Sequence, residues 1–175
     1  AHCDPEILLN DDEKLEEFKK TIADSGLEIS ALSCHGNPIH PDKSIAASFD
    51  HDLRNCVLLA EKIGVHQINT FSGCAGDSEN SKYPNWVTCP WPDDYSKILD
   101  YQWNEVLIPY WKEFVIFAKA HGVDKIAFEL HPGFMVYNVN TMLRIREAVG
   151  PELGANLDLS HLWWQGMDPA TVIRA

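Results

Sequence analysis

The sequence predicts an α/β fold made of parallel β/α units, about half of a TIM barrel, over residues 1–175 as a single partial domain. Four short apolar stretches alternate with longer amphipathic ones, which is typical of parallel strands joined by helical crossovers. No glycine-rich phosphate motif follows these stretches, so a doubly wound nucleotide-binding sheet loses its usual support. A complete barrel needs eight strands, and only four are predicted here.

The first half of the chain is predicted to hold two strands, each preceded by a helix. A helix capped by Asn10 or Asp11 extends to residue 24, because apolar residues recur on one helical face. The elements that follow are a strand at 27–33, a helix at 48–63 and a strand at 66–71.

The second half begins with a long loop at 72–95, whose tryptophan and tyrosine content argues against disorder. A helical stretch at 98–121 follows, and Pro109 is expected to kink or restart the helix. Its buried face is predicted to consist of Val106, Tyr110, Phe114 and Phe117. The remaining elements are a strand at 125–130, a helix at 138–149, a strand at 153–158 and a helix that starts at Asp168 and Pro169.

The composition excludes several classes of protein. Lys and Arg total 14 against 26 Asp and Glu, a formal net charge of −12, which disfavours a nucleic-acid partner. No apolar run is long enough to predict a membrane helix. The five cysteines form no C-x-x-C motif, so we expect free thiols in a cytoplasmic protein rather than a disulfide framework. Both ends of the chain look like truncations, so we expect a piece of a longer protein.

Polar side chains gather where the predicted strands end. His35 follows the first strand, Glu129 and His131 follow the third, and the fourth runs into Asp158 and His161. Because active sites in parallel α/β folds are built at the carboxyl ends of strands, we expect these side chains to share one site.

Side-chain alternation along the strands places the two carboxylates on the same side of the sheet. Glu129 shares a strand face with Ala127, and Asp158 shares one with Asn156, while bulkier apolar residues take the opposite faces. Carboxylates that converge with imidazoles suggest a divalent metal ion, Mn²⁺, Co²⁺, Zn²⁺ or Mg²⁺.

Three segments of the chain, 29–42, 128–138 and 156–166, resemble the sugar phosphate isomerase/epimerase family, which has the xylose-isomerase-like TIM barrel. The resemblance implies that Glu129 is a metal ligand and, in epimerase-type members, transfers a proton. It also implies that Asp158 is a second ligand. His161 would touch the substrate or the metal as a catalytic residue. Such families complete the site with a His and a Glu from the last two strands, and this sequence ends before either.

Three further residues are candidates for binding substrate. His35 sits where related barrels place a histidine that faces the substrate or the metal. His131 precedes Pro132 and has the alternative role of ordering its loop. Trp163 has an apolar face that could stack on a sugar, although core packing explains it equally well. The thiols of Cys34 and Cys74 adjoin strand ends, and we expect buried thiols rather than nucleophiles.

The leading hypothesis is a divalent-metal-dependent isomerase or epimerase that acts on a small sugar or sugar derivative by proton transfer at carbon. The first alternative is a zinc hydrolase resembling endonuclease IV, which predicts a His after the second strand, where Ser72 and Gly73 stand. The second is a catalytically incomplete fragment or binding module, whose open sheet edges a homo-oligomer would cover.

Overall fold

Four parallel strands form a single sheet in the order β1-β2-β3-β4. A computed structural model describes residues 2–175. The strands are β1 (Leu32–Ser33), β2 (Gln67–Thr70), β3 (Lys125–Glu129) and β4 (Leu153–Asn156). Consecutive strands are neighbours and all pairs are parallel, so the prediction of parallel β/α units of a TIM barrel is confirmed.

Eight α-helices and one π-helical segment accompany the sheet within residues 2–175. Among these residues, no helix is both long and apolar enough to cross a bilayer. The helices are α1 (Pro5–Asn10), α2 (Asp12–Ser25), α3 (Lys43–Ile63), α4 (Asp93–Asp100), α5 (Ile108–Ala120), α6 (Val139–Val149), α7 (Leu159–Trp164) and α8 (Pro169–Arg174).

Most helices begin at a side-chain cap that is visible in the sequence. The Asp11 carboxylate accepts a hydrogen bond from the Lys14 amide at the start of α2. Asn138 and Thr141 form a reciprocal capping box at the start of α6. Helix α3 begins at residue 43 rather than 48, because the Asp42 carboxylate accepts from two amides of its first turn. The short helix α1 was not predicted.

The predicted first strand at 27–33 is wrong in length, since only Leu32 and Ser33 pair. Their partners are Ile68 and Asn69 of β2, and that strand begins only at Gln67. The preceding residues therefore have no neighbouring strand within the described chain, and Leu27 is 69% exposed.

The long helical stretch continues past Pro109, and it changes from π-helical to α-helical geometry at the residue before this proline. A π-helical segment, Tyr101–Leu107, joins α4 to α5, and the Ile108 amide donates to the carbonyl of Trp103 five residues back. Pro109 then falls in the first turn of α5, where its missing N–H costs little. The wider turn also rotates the buried face. Phe114 is buried as predicted, whereas Val106, Tyr110 and Phe117 are half-buried. The other buried positions of the stretch are Gln102, Trp103, Leu107, Trp111, Val115 and Ala118.

Trp111 holds helix α5 against the sheet. Its side chain is fully buried, and its ring contacts those of Phe114 and Phe128 at centroid distances of 5.3 and 4.5 Å. Its indole Nε1–H donates to the Ser72 carbonyl at 2.9 Å. One side chain thus links the helix, strand β3 and the loop that follows β2.

We expect Trp111→Ala to lower the free energy of unfolding by about 3–5 kcal/mol, because it leaves a cavity and an unpaired carbonyl. Ile116→Ala is the matched control, since Ile116 lies on the same helix and is 71% exposed. Urea unfolding followed by circular dichroism measures both variants. Equal losses in the two variants would contradict the assigned role of Trp111.

Candidate metal centre

The predicted site residues come from the ends of three strands. Glu129 is the last residue of β3, and His35 lies two residues beyond β1. Asp158 is the N-cap of α7, and His161 lies in the first turn of that helix. The structure therefore brings together side chains that are separated by up to 126 positions (161 − 35) in the chain.

The Glu129 carboxylate lies between two imidazoles. Its Oε1 is 2.9 Å from His161 Nε2, and its Oε2 is 3.1 Å from His35 Nε2. Only 16% of the Glu129 side chain is exposed. A carboxylate accepts hydrogen bonds and an imidazole N–H donates them. Both oxygens of this largely enclosed carboxylate therefore have a hydrogen-bond donor.

Glu129, Asp158 and His161 form a group whose ligand atoms all lie within 4.8 Å of one another. Asp158 Oδ2 is 3.6 Å from His161 Nε2, and the Asp158 side chain is 46% exposed. The two carboxylates are ligands that suit Mg²⁺, Mn²⁺, Co²⁺ or Zn²⁺, and the imidazole nitrogen would join them only by giving up its hydrogen bond to Glu129. The residues therefore fit a divalent cation, with one side of the group open to solvent.

Asp158 serves two purposes at the start of α7. Its Oδ1 accepts from the Ser160 amide at 2.8 Å, which leaves Oδ2 directed toward the group. Hydrogen bonds from the Ser160 hydroxyl and amide hold the pKa of Asp158 below its ordinary value. The carboxylate is therefore ionised at neutral pH, as a metal ligand must be.

His131 lies beside this group. Its ring centroid is 4.2 Å from that of His161. Its Nδ1–H donates to the Pro132 carbonyl, because a carbonyl only accepts. The neutral ring then carries no proton on Nε2. His131 thus orders its own loop and also borders the site, and its binding of substrate stays a prediction.

Sequence reasoning missed two phenylalanines at the site. Phe71 contacts the rings of His35 and His131 at centroid distances of 4.4 and 5.3 Å, and it stacks on Phe134 at 4.1 Å. The available signal was position, since Phe71 directly follows β2 and Phe134 lies in the loop after β3. Phe71 therefore lies between the imidazoles of His35 and His131, and Phe134 packs against Phe71 and His131.

The loops that carry these side chains are tied to each other. Asn37 exchanges two hydrogen bonds with Cys74 backbone atoms, at 2.8 and 2.9 Å. The Ser72 hydroxyl accepts from the Val136 amide at 2.9 Å. Gly73 has φ +85, and a Cβ there would lie 2.5 Å from Ile39, so only glycine fits this close approach.

The tryptophans of the site region differ in their packing. Trp163 is 64% exposed and Trp164 is 72% exposed, so neither packs into the core of the described chain. Trp86 contacts Tyr137 edge to face at 5.1 Å and anchors the long loop, whereas Trp91 is 75% exposed. Stacking of Trp163 on a sugar stays a prediction.

Residues 2–175 match the family described as the xylose isomerase-like TIM barrel, and the chain belongs to this family. It is 40% identical over 175 residues to the uncharacterized protein YfiH of Bacillus subtilis (strain 168). That match covers 99% of this chain and 56% of YfiH. The chain therefore spans about half the length of this relative.

Two solved structures illustrate the shared fold. One is the apo form of the 3-keto-D-glucoside 4-epimerase YcjR from E. coli, with a TM-score of 0.68 and 13% identity, over 98% of this chain and 62% of YcjR. The other is a xylose isomerase-like TIM barrel protein from Mycobacterium smegmatis in complex with magnesium. Its TM-score is 0.58 and its identity 20%, over 87% of this chain and 48% of that protein. At these identities the likeness shows the fold alone.

We expect Cys74 to resist alkylation, in contrast to the exposed Cys89. Burial raises the pKa of the Cys74 thiol to about 12, and the reactive form is the thiolate. At pH 8 only about one Cys74 in ten thousand is then deprotonated. Iodoacetamide labelling of the folded chain at pH 8, read by peptide mass spectrometry, should modify Cys89 and spare Cys74. Equal labelling of the two cysteines would show that Cys74 is not buried and that its pKa is not raised.

Proposed function

We propose that this chain carries the metal-binding part of a divalent-metal-dependent sugar isomerase or epimerase. The observation that supports this most directly is the convergence of Glu129, Asp158 and His161 within 4.8 Å at the ends of β3 and β4. Membership in the xylose isomerase-like family supports the enzyme class. The chain spans about half of YfiH, so the activity of the whole protein is part of the proposal.

Glu129 and Asp158 would hold the cation, with His161 beside them as a catalytic residue. A divalent cation at this place supplies Lewis-acid polarisation of a carbonyl or hydroxyl oxygen. The remaining ligands, a His and a Glu from later strands, are expected from the resemblance to the family. An isomerase also needs coordination positions on the cation that the protein leaves open, so that the substrate oxygens can bind there.

Glu129 is the proposed proton carrier. One carboxylate oxygen would take the proton from the carbon next to the carbonyl. It would then return the proton to a neighbouring atom or to the other face of the same carbon. The imidazoles of His35 and His161 hold this carboxylate in place at 3.1 and 2.9 Å. His131 presents Nε2 without a proton in its neutral form, so it can accept a hydrogen bond from a substrate hydroxyl.

The surroundings favour a neutral sugar. The side chains that border the group are carboxylates, imidazoles and the phenyl rings of Phe71 and Phe134. Phenyl rings suit the C–H face of a sugar, and Trp163 offers a further stacking surface. A substrate phosphate would instead require cationic side chains, and the chain as a whole carries a net charge of −12.

The endonuclease IV-like alternative finds less support. It requires a histidine after the second strand, and β2 is followed by Phe71, Ser72 and Gly73. Ser72 is fully buried and bonded to the Val136 amide. An acidic chain is also poorly suited to a phosphate backbone.

Metal binding by the purified chain is the first test. We expect about one Mn²⁺, Co²⁺ or Zn²⁺ per chain in isothermal titration, with affinity falling roughly tenfold or more in Glu129→Gln and in Asp158→Asn. Glu61→Gln is the matched control, because Glu61 pairs with His121 at 2.8 Å and so also belongs to a carboxylate–imidazole pair. Similar losses in all three variants, or no bound metal in the wild type, would contradict the metal centre.

Proton transfer is the second test. With Mn²⁺ bound and unphosphorylated ketohexoses and aldoses as substrates in D₂O, we expect deuterium to enter the carbon next to the carbonyl, detected by NMR. Exchange should be lost in Glu129→Gln, because the amide cannot take the proton, and kept in Glu61→Gln. Metal binding without exchange would overturn isomerase activity for this chain and favour a catalytically incomplete unit.

A further inference from the structure

Helix α7 carries two of the three side chains of the metal centre, yet little of the helix is buried. Asp158 caps it and His161 lies in its first turn. Of its six residues only Leu162 is buried, while Trp163 and Trp164 are exposed. A short helix with so small an apolar contact needs a further attachment to keep its place against the sheet.

The side chain of Gln165 supplies such an attachment. Gln165 is the C-cap of α7. Its side-chain Nε2 donates to the Tyr137 carbonyl at 2.9 Å and to the His161 carbonyl at 3.1 Å. Tyr137 belongs to the loop between β3 and α6. One carboxamide therefore joins the helix that carries His161 to the loop that follows Glu129.

The acceptor of this hydrogen bond is itself held in place. The Tyr137 amide donates to the Thr141 hydroxyl at 3.0 Å, within the capping box of α6. The Tyr137 ring meets Trp86 edge to face at 5.1 Å. Trp86 follows Asn85, whose carbonyl accepts from the buried side chain of Gln102 at 2.7 Å. Because α6 and the long loop after β2 both hold Tyr137, its carbonyl is a rigid anchor for α7.

We propose that Gln165 is a positioning residue of the metal centre, which keeps α7 in the place where His161 reaches Glu129. The inference rests on the proposed function and deepens it, because it names what orients the helix that supplies two of the site residues. Gln165 contacts backbone carbonyls rather than the atoms that would hold the cation, so its effect passes through the helix.

The helix is thus fixed to β3 and its loop at two points. One is the contact of 2.9 Å between His161 Nε2 and Glu129 Oε1, and the other is the hydrogen bond from Gln165 to Tyr137. Without the second, α7 keeps the packing of Leu162 but loses its tie to the loop after β3. The contact between His161 and Glu129 then opens more often. Outer partners that orient a metal site typically change its affinity by tenfold or more.

The test compares Gln165→Met with the wild type. Methionine has a similar length but no N–H donor and no charge, so it removes both hydrogen bonds without adding a charge to the site. In the metal-free chain, we expect the Nε2 proton of His161 to exchange with water roughly fivefold faster in this variant. NMR measures the exchange, and the loss of the signal in His161→Gln assigns it.

Gln67→Met is the matched control. The Gln67 carboxamide also makes a hydrogen bond, to Asn69 Oδ1 at 3.2 Å. Gln67 is the first residue of β2, at the opposite end of the strand from the site. This variant should leave the exchange of the His161 proton at the wild-type rate.

Metal affinity is the second readout. Isothermal titration with Mn²⁺ should give an affinity roughly tenfold lower for Gln165→Met and unchanged for Gln67→Met. If the wild type binds no metal, the proposed function fails, and the proton-exchange measurement still decides the role of Gln165. A merely structural role would lower the urea midpoint of Gln165→Met and leave proton exchange at the wild-type rate. That result would overturn the proposal whatever the metal affinity.

A measurement on the wild type keeps the proposal testable if Gln165→Met fails to fold. The carboxamide protons of Gln165 should exchange with water roughly tenfold more slowly than those of Asn80, which is exposed. Equal exchange of the two carboxamides would show that the Tyr137 carbonyl does not hold Gln165, and it would overturn the proposal.

Discussion

The position of β3 between two parallel neighbours is the constraint on which the site depends. Ile126 pairs with Ile68 on one side and with Leu153 on the other, and Glu129 pairs with Asn156. Parallel pairing sends the carboxyl ends of all four strands to one edge of the sheet. Side chains that follow different strands then meet without any long excursion of the backbone.

The other polar side chains at that edge of the sheet are arranged around the carboxylate of Glu129. Glu129 is largely enclosed, and enclosing a charge is costly unless hydrogen-bond donors surround it. His35 and His161 supply those donors from the two flanking sides of the sheet. Because Asp158 uses one oxygen to cap α7 and directs the other toward the group, the same local structure that starts the helix also orients a ligand.

The thiols of Cys3, Cys56 and Cys74 show how the surroundings of one residue type decide its chemistry. Cys74 is isolated and buried, so its pKa rises to about 12. The pKa of the Cys56 thiol is raised by the Cys34 side chain and by burial. Cys3 is raised by burial and by the nearby Asp4. Burial and nearby polar or charged groups set these differences.

The sequence by itself determined the alternation of strands and helices, a helix cap at Asn10 or Asp11, and which polar residues follow each strand. These features are local, because hydrophobic periodicity and side-chain capping act over a few residues. Tertiary structure decided the rest. The length of β1 depends on where its partner begins, and the π-helical segment moves the buried face of α5 away from the predicted positions. The contacts of Phe71 with His35 and His131 also join residues from separate elements, so no local pattern encodes them.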